Sequence, residues 1–152
     1  MRERITVLQT GYLDECTRLF VEIFKGEPWR EDWTWMEAKS RLGEILATPG
    51  YYGLVALDGP VVGFAAGYCE TSYTGSVFYL KEMCVDSTRQ RQGIGRHLLE
   101  VLQDRLARCG VVHMYLLTRR DEGAESFYAG AGFRTSQRTV LMSRNLTEVA
   151  GC

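Results

Sequence analysis

The sequence predicts an α+β fold, a mixed α/β sandwich built as one domain over residues 1–152. Three observations predict it. Segments with apolar residues at three- and four-residue steps alternate with short strand-like segments, in the order βααβββαβαβ. The length of 152 residues favours one sizeable core. No internal repeat, low-complexity stretch or linker interrupts the chain.

Each element follows from local chemistry. Residues 4–8 read as a short first strand. Leu13, Cys16, Leu19, Phe20, Ile23 and Phe24 form one apolar face, which predicts a helix over 13–25 that Gly26 and Pro28 end. Thr34 or Asp32 is suited to cap a second helix running to about residue 48. Pro49 and Gly50 mark a break, and residues 51–57 and 61–69 then read as a hairpin turning at Asp58-Gly59. Gly63 and Gly67 inside its second strand predict a bulge or a close backbone approach. Residues 76–85 read as a further strand. Ile94, Leu98, Val101, Leu102 and Leu106 line one side of a helix over 93–108. A strand over 112–117, a short helix over 123–131 and a final strand over 139–143 complete the order.

The net charge of −1 gives no global electrostatic case for nucleic acid or an anionic membrane as partner. Two local clusters stand against that balance. Arg89, Arg91 and Arg96 lie together mid-chain, whereas Glu22, Glu27, Glu31, Asp32 and Glu37 gather near the N-terminus. The first can hold an anion; the second is either a solvated helix face or the wall of a site for a cation. The five cysteines are odd in number and lack zinc spacing, so no metal is expected. Reduced thiols, and a start (Met1-Arg2-Glu3-Arg4) without the apolar run of a signal peptide, favour a cytoplasmic protein. No apolar run reaches membrane-spanning length.

The chemistry centres on the loop Gln90-Arg91-Gln92-Gly93-Ile94-Gly95-Arg96, between a strand ending at Val85 and a helix. The first N–H groups of a helix have no intrahelical partners and carry the positive end of its dipole, which suits phosphate oxygens. Glycine at 93 and 95 removes side chains that would hold a phosphate off those amides, and the arginines add charge. The loop is not a Walker loop, since no GKS or GKT follows. Nor is it a dinucleotide fingerprint, since Leu98 stands where GxGxxG needs its third glycine. Alone, it supports only anion binding at a helix start.

At these residues the sequence resembles the GNAT N-acetyltransferase superfamily, whose pyrophosphate motif Q/R-x-x-G-x-G/A fits Gln90 to Gly95. A second family motif, near A-x-x-F-Y-x-x-x-G-F, matches Ala124, Phe127, Tyr128, Gly132 and Phe133 in the right order. The resemblance implies a mostly antiparallel central sheet, flanked by helices, with one parallel strand pair that splays apart. Acetyl-CoA would lie in the splay as co-substrate. Met83, Cys84 and Val85 would offer backbone groups to its pantetheine arm, and an N–H near Met83 or Cys84 would polarise the thioester carbonyl. The amides from Arg91 to Arg96 would hold the pyrophosphate, with Ser126 also on the cofactor side. The family often has Asn where this chain has Asp121, and an ionised carboxylate cannot donate the hydrogen bond that Asn would.

By the same resemblance Glu82 is the expected base that deprotonates the attacking amine, and Tyr128 the acid that protonates the departing thiolate. Read without the motif, Glu82 is a strand-end carboxylate and Tyr128 a core tyrosine. Cys84 has no evident His partner, which argues against an acyl-enzyme. His97 reads as a surface helix residue and His113 as structural.

Trp29, Trp33 and Trp35 either anchor a loop on the core or line an acceptor pocket beside acids. The acceptor candidates are Glu27, Trp29, Trp33, Glu70 and Tyr73, and they motivate a small cationic amine. Acetylation of a protein N-terminus or lysine is the second enzymatic reading, and a non-catalytic acyl-CoA sensor the third. The resemblance also allows a homodimer.

Overall fold

The computed structural model describes residues 3–120 and 123–147. A five-stranded sheet runs in the spatial order β1-β2-β3-β4-β5. Its strands are β1 (Arg4–Val7), β2 (Tyr51–Leu57), β3 (Val61–Ser72), β4 (Gly75–Val85) and β5 (Val111–Leu116). The first four pair antiparallel, and β4 pairs with β5 in parallel. Four helices accompany them: α1 (Leu13–Lys25), α2 (Trp35–Leu46), α3 (Ile94–Arg108) and α4 (Ala124–Gly130).

Alternation along the strands divides the core in two. Val55, Leu57, Phe64, Ala66 and Cys84 pack with Leu19, Phe20, Ala38, Leu42 and Ile45 of α1 and α2. Their neighbours Leu54, Ala56, Ala65, Phe78 and Leu80 face the other way, onto Leu98, Leu99, Leu102 and Leu106 of α3. Successive strand residues point to opposite faces, so a sheet covered on both sides needs the near-continuous apolar run seen in β2 and early β3. Tyr51 ties the edge down by donating its hydroxyl to the Leu8 carbonyl over 2.7 Å.

Thr34, not Asp32, caps α2. Its Oγ1 accepts from Glu37 N at 3.1 Å while Glu37 Oε1 accepts from Thr34 N at 3.0 Å, a reciprocal capping box. The bulge expected around Gly67 is present. Ala66 pairs with Glu82 but Gly67 pairs with Leu80, so Lys81 is the extra residue of β4. A Cβ on Gly67 would run into the Tyr79 carbonyl and stand 2.8 Å from Phe78 Cζ, so only glycine fits.

One expected element is missing. Residues 139–143 form no strand, and β5 remains the sheet edge among the described residues. The segment has strand propensity, but a strand exists only where a neighbour completes its ladder, and none of the described strands pairs with it. Among the described residues no helix is long and apolar enough to cross a membrane.

Candidate active site

The parallel pairing of β4 and β5 stops at Leu80↔Leu116, whereas β4 continues to Val85, bonded to β3 as far as Gly63. From Lys81 onward the β5 side of β4 therefore faces an opening. The bulge at Lys81 sits where the strands part, and the local bend of a bulge explains the divergence. Met83, Cys84 and Val85 lie on this open stretch.

The loop after Val85 is tightly built. Asp86 Oδ1 accepts from Thr88 N at 2.9 Å and from Thr88 Oγ1 at 2.8 Å, closing a single 3-10 turn over Ser87–Arg89. Gln90 Nε2 donates to the Val85 carbonyl at 3.2 Å, so the first motif residue clamps the strand end. Arg89 is held by Asp58 Oδ2 at 2.5 Å, tying the loop to the β2–β3 turn. Arg91 has φ 70° and Gly93 φ 83°, both left-handed. Left-handed Gly93 followed by helical Ile94 turns successive N–H groups toward one side, a concavity suited to an anion. The two glycines act differently. A Cβ on Gly93 would meet nothing within 4 Å, so this glycine serves the backbone conformation. A Cβ on Gly95 would meet Phe127 Cζ at 3.2 Å and Met83 Cε at 3.4 Å, so this one lets α3 approach β4 and α4. A cavity of about 590 Å³ opens beside the helix start, with Arg89, Gln92, Gly93 and Arg96 in its lining.

Glu82 lies at the opening with its side chain only 10% exposed. Its Oε1 accepts from Arg41 Nε at 2.7 Å. Burial raises its pKa above the ordinary carboxylate value, and this outweighs the lowering by Arg41 and Lys81. Tyr128 of α4 packs at right angles to Phe127 and Phe133, and burial pushes its phenol up. The Glu82 carboxylate adds to that rise. Burial holds the Cys84 thiol well above its usual range, which keeps it protonated and a poor nucleophile. Ser126 is exposed on α4. Asp121 lies outside the described residues.

The acceptor candidates separate. Trp33 donates Nε1 to Glu31 at 2.8 Å, packs edge-on against Phe20 and lies under the Arg41 guanidinium at 5.7 Å. It is thus both a core anchor and a neighbour of Glu82's partner. Trp29 packs on Phe24 and under Arg119, which follows β5. Glu70 accepts from Tyr115 Oη at 2.7 Å, and Tyr115 stacks on Tyr79 at 4.7 Å. Tyr79 feels both Glu70 and Glu82, so these two acids bracket it on the α2 face. Glu27 is exposed and pairs with Arg30 at 2.5 Å. Tyr73 is fully exposed at the tip of the β3–β4 hairpin, roughly 20 Å along β4 from Glu82 at strand rise. Much of the N-terminal acidic cluster is engaged locally: Glu27 with Arg30, Glu31 with Trp33, Glu37 with Thr34.

Arg41, Tyr79, Tyr115 and Arg119 were missed. Arg41 left one signal: it shares the helical face of Ala38, Leu42 and Ile45, where a charge is out of place unless partnered. His97 is half-buried on α3. Its side chain is 19% exposed, and its Nδ1 lies 2.6 Å from Glu3 Oε1. Among the described residues no cluster of three or more His, Cys, Asp or Glu could hold a metal ion.

Solved structures share this architecture. An aminoglycoside acetyltransferase, meta-AAC0020 from an uncultured soil metagenomic sample, solved with sisomicin, matches at 22% identity and TM-score 0.74, over 95% of this chain and 96% of its own. A possible acetyltransferase from Clostridium difficile 630 matches at 15% identity and TM-score 0.81, over 95% and 99%. The aminoglycoside acetyltransferase AAC(6')-Iy, solved with a CoA-S-monomethyl-acetylneamine bisubstrate analogue, matches at 18% identity and TM-score 0.74, over 95% and 99%. At these identities the likeness shows the fold. No curated protein sequence matches the chain. The family model described as "Acetyltransferase (GNAT) family" matches residues 13–133, from α1 through the Phe133 that follows α4. The chain belongs to the GNAT acetyltransferase family.

Proposed function

We propose that the chain moves the acetyl group of acetyl-CoA directly to a primary amine on a small cationic molecule. The observation that carries this reading is the parting of β4 from β5 beyond Leu80↔Leu116, with buried Glu82 on the stretch of β4 that continues past it. The free β4 edge from Met83 to Val85 suits an amide-bearing arm, and an N–H there would stabilise the oxygen that gains charge. The N–H groups from Arg91 to Arg96 suit the pyrophosphate, with Arg91 and Arg96 adding charge.

Glu82 takes a proton from the acceptor ammonium, directly or through water. The amine nitrogen then bonds to the acetyl carbonyl carbon, Tyr128 Oη gives its proton to the leaving sulfur as the carbon–sulfur bond breaks, and the nitrogen's surplus proton passes to the phenolate left on Tyr128, so that the one proton released overall leaves from Glu82. The raised pKa of Glu82 improves it as a base, and that of Tyr128 keeps it protonated until the thiolate forms. Glu70, Tyr115 and Tyr79 form an aromatic and acidic group suited to a cation. Two proteins of the same fold were solved with sisomicin and with an acetylneamine analogue, which supports this acceptor class.

The test is thiol release from acetyl-CoA over a panel of polyamines, aminoglycosides, amino acids and lysine peptides. Turnover of the small cationic amines supports the reading. Turnover confined to peptides would move the assignment to protein acetylation. Acetyl-CoA binding without turnover of any amine would leave a sensor.

A further inference from the structure

The bulge in β4 also places a cation beside the base. Phe78 and Leu80 pack toward α3, so Tyr79 between them faces the α2 side of the sheet. Lys81 is the extra residue of the bulge, and its ammonium lies over the Tyr79 ring, 5.3 Å from the centroid. Glu82 follows it and meets Arg41 of α2. Lys81 and Glu82 are thus neighbours in sequence that share one face. Regular alternation forbids that, and a bulge, which sets two residues opposite one, allows it.

The ring under Lys81 belongs to a cage. Tyr79 stacks on Tyr115 with centroids 4.7 Å apart and meets Tyr68 edge-on at 5.7 Å. Tyr115 donates its hydroxyl to Glu70 at 2.7 Å. All three rings are half-buried, so solvent reaches them. The register Glu70↔Val77, Tyr68↔Tyr79 and Ala66↔Glu82 sets Tyr79 between the two acids. Each acid is engaged elsewhere: Glu82 pairs with Arg41, and Glu70 accepts from Tyr115. The Lys81 ammonium rests instead on an aromatic face, held by the ring quadrupole. Three tyrosines beside a carboxylate make a seat for a cation, and the chain fills it with its own.

We infer that Lys81 is the resident occupant of a second cation seat, formed by Tyr68, Tyr79, Tyr115 and Glu70, and that the non-reacting ammonium of a diamine acceptor displaces it. The inference rests on acetyl transfer to a cationic amine as the activity, and it names the amines that suit the site: those with a second cation beside the one that reacts. Tyr79 and Glu82 stand opposite Tyr68 and Ala66, two residues apart on β3, so seat and base are separated by roughly 7 Å along the sheet. A short diamine spans that gap, with its reacting nitrogen at Glu82 and its other ammonium on the Tyr79 ring. Lys81 leaves the ring on its flexible stem and returns when the product departs. It is therefore a specificity-determining residue, because it competes with the acceptor's second cation for one aromatic face.

The test is calorimetric titration of the full chain, in saturating CoA, with putrescine and with butylamine, which share a carbon chain and differ by one ammonium. In Lys81→Met the affinity for putrescine should rise about threefold or more, since no cation–π contact has to be broken, and that for butylamine should change less. Lys81→Arg should bind putrescine as the parent does, because a guanidinium fits the same ring. Adding Tyr79→Leu to Lys81→Met should cancel the gain, in a protein whose melting temperature shows it folded. Putrescine affinity unchanged or lowered in Lys81→Met would overturn the inference, as would an equal rise for butylamine or no binding of putrescine to either protein. Tighter parental binding of γ-aminobutyrate than of putrescine, lost in Lys81→Met, would also overturn it, because Lys81 would then hold an acceptor carboxylate. Turnover is measured apart. These affinities without thiol release from acetyl-CoA would remove the transferase reading and leave the seat standing.

Discussion

Arg41 Nε donates to Glu82 Oε1 over 2.7 Å, so a guanidinium from α2 meets the carboxylate at the open end of β4. The pair has opposed consequences. Burial makes Glu82 more basic, while Arg41 and Lys81 hold it ionised, and burial wins. Arg41 also fixes one carboxylate oxygen, Oε1.

Removing the cation should expose that balance. In Arg41→Met, the acid limb of the kcat/KM profile should move to higher pH, because the lowering contribution disappears while burial remains. Arg41→Lys should move it less. The groups that act on Glu82 alongside Arg41 are Lys81 of β4 and Glu31 before α2, and both stay in place. An unchanged acid limb in Arg41→Met would separate Glu82 from the ionisation that controls the rate.

Glu82→Gln should keep acetyl-CoA affinity and lower kcat/KM by about 10²- to 10⁴-fold, the usual range for a lost general base. Calorimetry and thiol release measure the two separately. A variant with parental turnover would remove Glu82 from proton transfer.

The same residue should leave a mark on stability. Its folded pKa lies above 4.5, so the folded state holds the proton more tightly than the unfolded state. That contribution is fully present below 4.5 and is lost as pH rises through the folded pKa. The parent should therefore lose stability relative to Glu82→Gln across this window. Urea titrations at stepped pH check the slope, and a flat difference would contradict it.

Tyr128→Phe should lower kcat by about 10²-fold while barely changing the melting temperature. Phenylalanine preserves the packing against Phe127 and Phe133, and only the proton donor is lost. Equal kcat in the two proteins would make Tyr128 a packing residue.

Gly67→Ala should destabilise the chain by about 1–3 kcal/mol, since the new methyl must displace the Tyr79 carbonyl or Phe78. The bulge also bends β4 at the opening, so kcat/KM should fall with stability. Denaturant unfolding and thiol release on one preparation test both.

Most of the fold was legible because its periodicities are local. The helical face of Leu13 to Phe24 and the hairpin of 51–57 with 61–69 need no distant information. Gly67 was readable as a bulge because glycine inside a strand has few other uses. The loop from Gln90 to Gly95 stood out by residue type and spacing, and Glu82 was singled out only through the family resemblance. Arg41, Tyr79 and Tyr115 were not, since their meaning arises only when α2, β4 and β5 meet. Tyr73 was drawn in by nearness to Glu70 in sequence, but a hairpin turn carries it to the far end of β4. The segment 139–143 was read as a strand from composition, and a strand needs a partner that none of the described strands gives it.

The most direct test of the central claim is calorimetric titration of acetyl-CoA into the parent and into Gly93→Val. Gly93 holds φ 83°, which a β-branched residue adopts only under strain, while a Cβ there meets no atom within 4 Å. The substitution should disorganise the amides at the start of α3 and weaken binding by roughly ten-fold or more, a loss of about 1.4 kcal/mol per decade, in a protein that still folds. Acetyl-CoA affinity equal to the parent's in folded Gly93→Val would contradict the assignment of this loop.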